Sequence, residues 1–214
     1  MIHIKTFVFN PFQVNTYLLY DDTKECLIID AACYDDEERQ KITGFIKKND
    51  LQPKRLICTH GHVDHILGVK YMMDFFPGIL FEIDKECVPF LKSSQSYASV
   101  FGLDIEQAPM SAGYLKDNDI INIGSSTLKV LYTPGHAAGS ICLYQKEQKF
   151  VIVGDVLFQG SIGRTDLPTG NQELLIRSIR EKLLILDDDV VVYPGHGPST
   201  SIGEEKRNNP FLND

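Results

Sequence analysis

The stretch Thr59-His60-Gly61-His62-Val63-Asp64-His65 decides how this chain is read. An apolar run at residues 56–58, in a strand-like stretch from 55, leads into it, and three imidazoles and one carboxylate then fall within six residues, on a loop that contains glycine. Any one histidine in such a place is ordinarily a surface or supporting residue. Four ligand-type side chains together have no packing rationale and form the pattern of a metal site. Two further motifs repeat the device, Thr133-Pro134-Gly135-His136 and Tyr193-Pro194-Gly195-His196-Gly197, so that five of the six histidines lie in three motifs. Val151-Ile152-Val153-Gly154-Asp155 ends another apolar segment in a carboxylate. Each ligand candidate follows a strand-like segment, and strand ends are where a rigid scaffold hands side chains to a site. Glycine or proline within each motif permits a turn and a close approach.

Imidazole and carboxylate donors suit zinc, iron or manganese, and no cysteine lies within the motifs to suggest a closed thiolate site. His60, His62, Asp64, His65, His136, Asp155 and His196 make seven candidate ligands, more than one tetrahedral ion can use. A pair of ions, bridged by a carboxylate and a water, uses all seven and leaves positions open for a substrate. The expected cofactor is two divalent ions, zinc first, with iron or manganese as alternatives.

Outward from the motifs, residues 2–9, 15–20 and 26–30 read as strands. Asp35 stands where a helix N-cap belongs, with Asp36, Glu37 and Glu38 in the first turn and Lys47 and Lys48 at the far end. Residues 65–76 read as one helix stopped by Pro77-Gly78, followed by a strand at 79–83 and a short helix at 84–92. Residues 93–113 show weak periodicity and no firm element. Strands are expected at 120–123, 127–132, 140–144, 150–153 and 190–193, a glycine-rich loop at 154–170 and a helix at 171–186. Runs of strands with interspersed helices argue for a layered α/β (α+β) fold. No linker or low-complexity stretch divides the halves, so a single domain over residues 1–214 is expected.

The net charge of −8 argues against a nucleic-acid or anionic-membrane binder, which needs a basic face. Five scattered cysteines without a Cys-x-x-Cys pair read as reduced thiols. The N-terminus alternates like a strand and lacks the pattern of a signal peptide, and no apolar run spans a bilayer. A cytoplasmic protein is expected, with a monomer as the starting assumption and a small molecule as its partner.

The constellation of residues 59–65, 133–136, 154–155 and 193–197 resembles the metallo-β-lactamase superfamily of metallohydrolases. That resemblance implies a four-layer αββα sandwich. It also implies that His60, His62 and His136 hold a first metal, that Asp64, His65 and His196 hold a second, and that Asp155 bridges both. Zinc β-lactamases of the commonest type have a cysteine in place of Asp155 and usually lack His65, and flavodiiron proteins have a glutamate in place of His62. The loop Gly160-Ser161-Ile162-Gly163-Arg164-Thr165-Asp166 and the C-terminal Glu205-Lys206-Arg207-Asn208-Asn209-Pro210-Phe211 are similar to short bacterial glyoxalase II-like proteins. Longer glyoxalase II enzymes differ in three ways. They carry a helical extension with basic residues that grip glutathione, whereas this chain ends at Asp214. They tend to have a tyrosine where Leu143 stands, and Lys-Phe-Tyr in place of Arg164-Thr165-Asp166. A similar Gly-Arg-Thr-Asp loop occurs in persulfide dioxygenases, which use one iron.

The resemblance thus implies hydrolysis of a thioester, such as a 2-hydroxyacyl-glutathione, by a metal-bridging hydroxide, with a mono-iron persulfide dioxygenase as the alternative. Asp64 is the expected catalytic group, orienting the hydroxide and accepting its proton. Arg164 has two available roles, gripping a substrate carboxylate bidentately or pairing with Asp166 to shape the loop. Asp30, at the end of the third strand, suits an acceptor for a ligand histidine. Cys58 reads as a packing residue.

Overall fold

Side chains on a strand alternate between its two faces, so a strand apolar on both faces must lie between two covering layers. The computed structural model, which describes residues 1–213, meets that requirement with two sheets. The first contains β1 (His3–Phe9), β2 (Val14–Tyr20), β3 (Glu25–Ile29), β4 (Gln52–Ile57), β5 (Leu80–Asp84) and β6 (Gly113–Leu115), in that spatial order. The second contains β7 (Ile120–Ile123), β8 (Ser126–Tyr132), β9 (Ile141–Gln145), β10 (Phe150–Gly154), β13 (Val191–Pro194) and β14 (Thr200–Ser201), running β14-β13-β10-β9-β8-β7. A two-stranded hairpin of β11 (Leu157–Phe158) and β12 (Ser161–Ile162) stands apart from both. The helices are α1 (Asp36–Lys48), α2 (Val63–Ile66), α3 (Val69–Phe75), α4 (Val88–Val100), α5 (Gln172–Ser178) and α6 (Ile202–Asn208).

Three apolar layers follow from the alternation. Leu19, Leu27, Ile29 and Ile57 of the first sheet meet Ile121, Val130, Ile141, Leu143 and Ile152 of the second, forming the layer between the sheets. Their neighbours Leu18, Ile28 and Leu56 face the other way and pack with Ile42 and Ile46 of α1, Met72 of α3 and Leu91 of α4. On the outer side of the second sheet Cys142, Val151, Val153 and Val192 pack with Leu175 of α5 and Ile202 of α6. The result is an αββα sandwich.

Helix α1 begins where the charges predict, with the Asp35 carboxylate accepting from the Glu38 backbone N–H at 2.9 Å. Three other helices depart from the expected spans. The helix expected over 65–76 is two, α2 and α3, broken at Gly68. The Gly68 N–H donates to the Ala31 carbonyl at 2.8 Å, and a β-carbon there would collide with Cys33, so close approach to a neighbouring loop interrupts the helix. The short helix expected at 84–92 is a 3₁₀ turn at Lys85–Cys87 running into α4, which extends to Val100 and takes in part of the stretch without clear periodicity. The helix expected at 171–186 ends as α5 at Ser178 and continues as a wider π turn, Ile179–Leu183. Helix α6 and the short β6, β11, β12 and β14 had no expected counterpart. No helix among the described residues is long and apolar enough to cross a membrane.

All five cysteines are free and buried, and burial pushes the Cys26, Cys33 and Cys142 thiols up to about 12. Thiolate is the reactive form, so the folded protein should give no fast-reacting thiol with a disulfide reagent at about pH 8. After unfolding in guanidinium the same titration should count five per chain.

Candidate metal centre

Three of the strands that lead to the site run in the same direction. β8 and β10 are each antiparallel to β9, and β10 is parallel to β13, so their C-terminal ends lie at one edge of the second sheet. His136 follows β8, Asp155 follows β10 directly and His196 follows β13. From the first sheet, β4 leads into His60 and His62, and the one-turn helix α2 presents Asp64 and His65. Two glycines make the convergence possible. Gly154 turns the chain after β10 with φ of +50°, against the Thr59 side chain. Gly195 lies so close to Asp155 Oδ1 and His65 Cε1 that any β-carbon would overlap them.

All seven candidate ligands meet in this space. They fall into groups whose donor atoms lie within 4.8 Å of one another: His60, His62 and His136; Asp64, His65 and His196; and, between these, His60, His65 and Asp155. His136 Nε2 faces His62 Nδ1 at 2.9 Å, and His65 Nε2 faces His196 Nε2 at 3.3 Å. Asp155 reaches both sets, with Oδ1 3.3 Å from His65 Nε2 and Oδ2 3.8 Å from His136 Nε2 and 3.4 Å from His196 Nε2. Asp64 Oδ2 lies 3.4 Å from His196 Nε2.

The far nitrogens of four rings are anchored. His65 Nδ1–H donates to Asp30 Oδ2 at 3.0 Å, His136 Nδ1–H to the Arg164 carbonyl at 2.8 Å and His196 Nδ1–H to the Phe12 carbonyl at 2.9 Å. Thr59 donates its hydroxyl to Asp30 Oδ2 at 2.8 Å, which leaves its oxygen to accept from His60 Nδ1–H at 3.1 Å. Each of these bonds fixes the tautomer and turns an Nε2 lone pair inward, as supporting partners of metal-binding histidines do.

Electrostatics divide the cluster. Burial, with His65, His62 and His136 nearby, holds His60 well below the usual imidazole range. Burial and His136 bring His62 down to about 4, and burial lowers His136 as well. On the other side burial again opposes charge but loses. The carboxylates of Asp155, Asp64 and Asp30 raise His65, and hydrogen bonds to Asp155 and Asp64 bring His196 up to about 9. Burial would push Asp155 and Asp64 up, yet His65 and His196 hold both down.

These residues fit a pair of divalent cations. His60 Nε2 and Asp155 Oδ1 are buried at the centre of the cluster without any hydrogen-bond partner. Buried polar atoms are rarely left so, and an ion is one of the few explanations for such a pair among inward-facing lone pairs. The neutral imidazoles of His60, His62 and His136 and the ionised carboxylates of Asp64 and Asp155 are the protonation states that metal binding requires, whereas His65 and His196 would have to give up the protons that the neighbouring carboxylates draw onto them.

Of the other residues singled out by sequence, Asp30 accepts from the Thr59 backbone N–H, the Thr59 hydroxyl and His65, as its position suggested. Arg164 makes a bidentate pair with Asp166 at 2.8 and 2.7 Å and lines the cleft beside the cluster. Its main-chain carbonyl, which holds His136, carries no sequence signal. Phe12 was missed for the same reason. Asn15 was missed although its side chain donates to the carbonyls of Pro194 and Gly197, bracketing His196. Its partners lie about 180 positions away and leave no local pattern. In the C-terminal motif, Glu205 accepts from Gly160 N–H and Asn209 donates to the Ser161 carbonyl, fastening the β11–β12 hairpin that forms one cleft wall.

The chain belongs to the metallo-β-lactamase superfamily, whose family model matches residues 9–196. Among curated proteins it is similar to the hydroxyacylglutathione hydrolase GloC of Haemophilus influenzae, 37% identical over 213 residues and covering 99% of each chain. Among solved structures it is similar to the B3 metallo-β-lactamase BLEG-1, with a TM-score of 0.89, 36% identity and coverage of 99% of this chain and 100% of that one. It is also similar to TTHA1623 in a di-iron-bound form, with a TM-score of 0.86, 31% identity and coverage of 98% and 100%.

Asp30→Asn replaces an acceptor of three hydrogen bonds with a group that must turn a donor towards one of them. Supporting partners of this kind change metal affinity by roughly 10–100-fold. Titration against a competing chelator should show a loss of that size. Unchanged affinity in a folded variant would remove Asp30 from the site.

Proposed function

We propose that this protein is a binuclear metallohydrolase that cleaves thioesters. The observation that carries the reading is the position of Asp155, whose Oδ2 lies between His136 of one histidine set, 3.8 Å away, and His196 of the other, 3.4 Å away, while Oδ1 lies 3.3 Å from His65. In this reading His60, His62 and His136 hold one ion, Asp64, His65 and His196 hold the other, and Asp155 is shared. Divalent ions held there lower the pKa of water from about 15.7 towards 7 and polarise an acyl carbonyl. Zinc is the expected metal, with iron or manganese accepted by the same donors.

The chain's own residues supply the rest. Asp64 lines the cleft and is held ionised by His65 and His196, so it can orient the attacking water by accepting a hydrogen bond, and in this reading it is also the proton acceptor. The hydrogen bonds that His65, His136 and His196 donate to Asp30, the Arg164 carbonyl and the Phe12 carbonyl keep the imidazoles in one orientation through turnover. A thiolate leaves without a strong general acid, since a thiol pKa is about 8.5. The similarity to a hydroxyacylglutathione hydrolase supports the thioester class, and S-lactoylglutathione is the first substrate to try. The five unpaired thiols support a reducing location such as the cytoplasm.

A second reading, a mono-iron persulfide dioxygenase, rests on the Gly163-Arg164-Thr165-Asp166 loop, while the di-iron-bound form of TTHA1623 supports iron as a metal for such a site. The likeness to BLEG-1 adds β-lactam hydrolysis as a third activity to measure. Metal analysis beside three assays separates them. The expected result is two ions per chain with turnover of S-lactoylglutathione, and a loss on the order of 100-fold or more in His62→Ala and Asp155→Ala. One iron per chain, with oxygen consumed in the presence of glutathione persulfide, would replace the hydrolase reading by the dioxygenase. Turnover that survives both substitutions would show that the site is wrong.

A further inference from the structure

The cleft above the cluster encloses about 590 Å³, and its walls differ in character from its floor. The floor is polar, made by His62, Asp64, His136, Asp155 and His196. The walls are largely apolar. On one side Phe12, Phe101 and Tyr97 form a continuous edge-to-face surface, with ring centroids 5.4 Å apart for Phe12–Phe101 and 5.5 Å for Tyr97–Phe101. On the other side Phe158, from the hairpin, stands 6.4 Å from the His196 ring, with Leu167 beyond it. Phe12 also orients His196 through its carbonyl, so the aromatic wall starts at the second set of ligands. Phe101, 48% exposed, leaves part of this aromatic wall open to solvent.

The walls offer little to a carboxylate. Among the described residues lining the cleft, Arg164 is the one lysine or arginine, and the Nε–Nη2 edge of its guanidinium is engaged by Asp166. Aromatic faces carry the negative side of the ring quadrupole and repel carboxylates, whereas they attract apolar and ring groups. A thiol half such as glutathione, with two free carboxylates, would therefore reach the floor past walls that do not bind it.

We propose that this cleft selects thioesters that carry an apolar, ring-sized group beside the thioester, seated against Phe12, Tyr97 and Phe101, over small-acyl thioesters of a charged thiol. The inference rests on the thioesterase reading for the identity of the reacting bond. The wall preference itself is a matter of binding and can be read without turnover.

Three uncleavable thioethers, in which a methylene replaces the acyl carbonyl, serve as probes for calorimetry on the metal-loaded protein. S-(2-hydroxypropyl)glutathione has a small acyl mimic on a charged thiol. S-(2-hydroxy-2-phenylethyl)glutathione adds a ring on the acyl side. Benzyl 2-hydroxypropyl sulfide places the ring on the thiol side and removes the carboxylates. A ring-bearing probe should bind at least about tenfold tighter than the first, the size expected for burying one ring in such a site. Whichever ring-bearing probe gains identifies the side on which the ring sits. Phe101→Ser and Tyr97→Ser should abolish the gain and leave the first probe unchanged. The proposal is overturned if the first probe binds as tightly as both others, if the serine variants weaken all three alike, or if Arg164→Gln weakens the glutathione probes selectively. Ring preference without cleavage of any thioester would overturn the proposed reaction and leave the cleft assignment standing. Efficient cleavage of S-lactoylglutathione without ring preference would do the reverse.

Discussion

The buried carboxylate of Asp30 holds together more of this molecule than any other single group. It lies at the end of β3 with φ of +51° and is fully buried, accepting from Thr59 twice and from His65 once. Through Thr59 it reaches His60, and through His65 it reaches the other set of ligands. A buried charge is tolerated only where its lone pairs are filled, and here the groups that fill them are those that must be positioned. One acceptor thereby fixes the relative placement of both halves of the site.

Around that anchor the two sheets divide the work. The first sheet supplies the dense motif at His60 to His65, and the second supplies single ligands at three strand ends. The strand β2 reaches across: Asn15 N–H donates to the Gly195 carbonyl at 2.7 Å, and the Tyr17 hydroxyl donates to the Pro194 carbonyl at 2.6 Å. The loop carrying His196 is thus held by the opposite sheet as well as by its own strand.

The readability of each part from sequence followed from how local its cause is. Period-two alternation at Leu18 and Leu19, or at Val151, Ile152 and Val153, is a local property, and the layers it implies are present. The seven clustered ligands were legible because they stand in short motifs that contain glycine or proline and follow apolar runs. The break at Gly68 depends on Cys33, more than thirty positions earlier, and no pattern around Gly68 announces it. Carbonyl acceptors such as those of Phe12 and Arg164 are invisible in principle, since every residue has one. Arg164 shows the limit of residue chemistry: a guanidinium suits Asp166 or a ligand equally, and geometry alone shows the pair it makes.

The struts from Asn15 and Tyr17 to the His196 loop also bear on how the molecule assembles. They join positions 177 and more residues apart, and the site they complete draws its parts from nearly the whole length of the chain. Closing such long loops costs entropy before any contact repays it, which slows folding of sheet-rich chains. No fragment of the first sheet alone can present the complete set of donors. A nascent chain therefore remains without its full complement of ligands until its last strands have emerged and docked, and capture of both ions becomes a late event in its biogenesis.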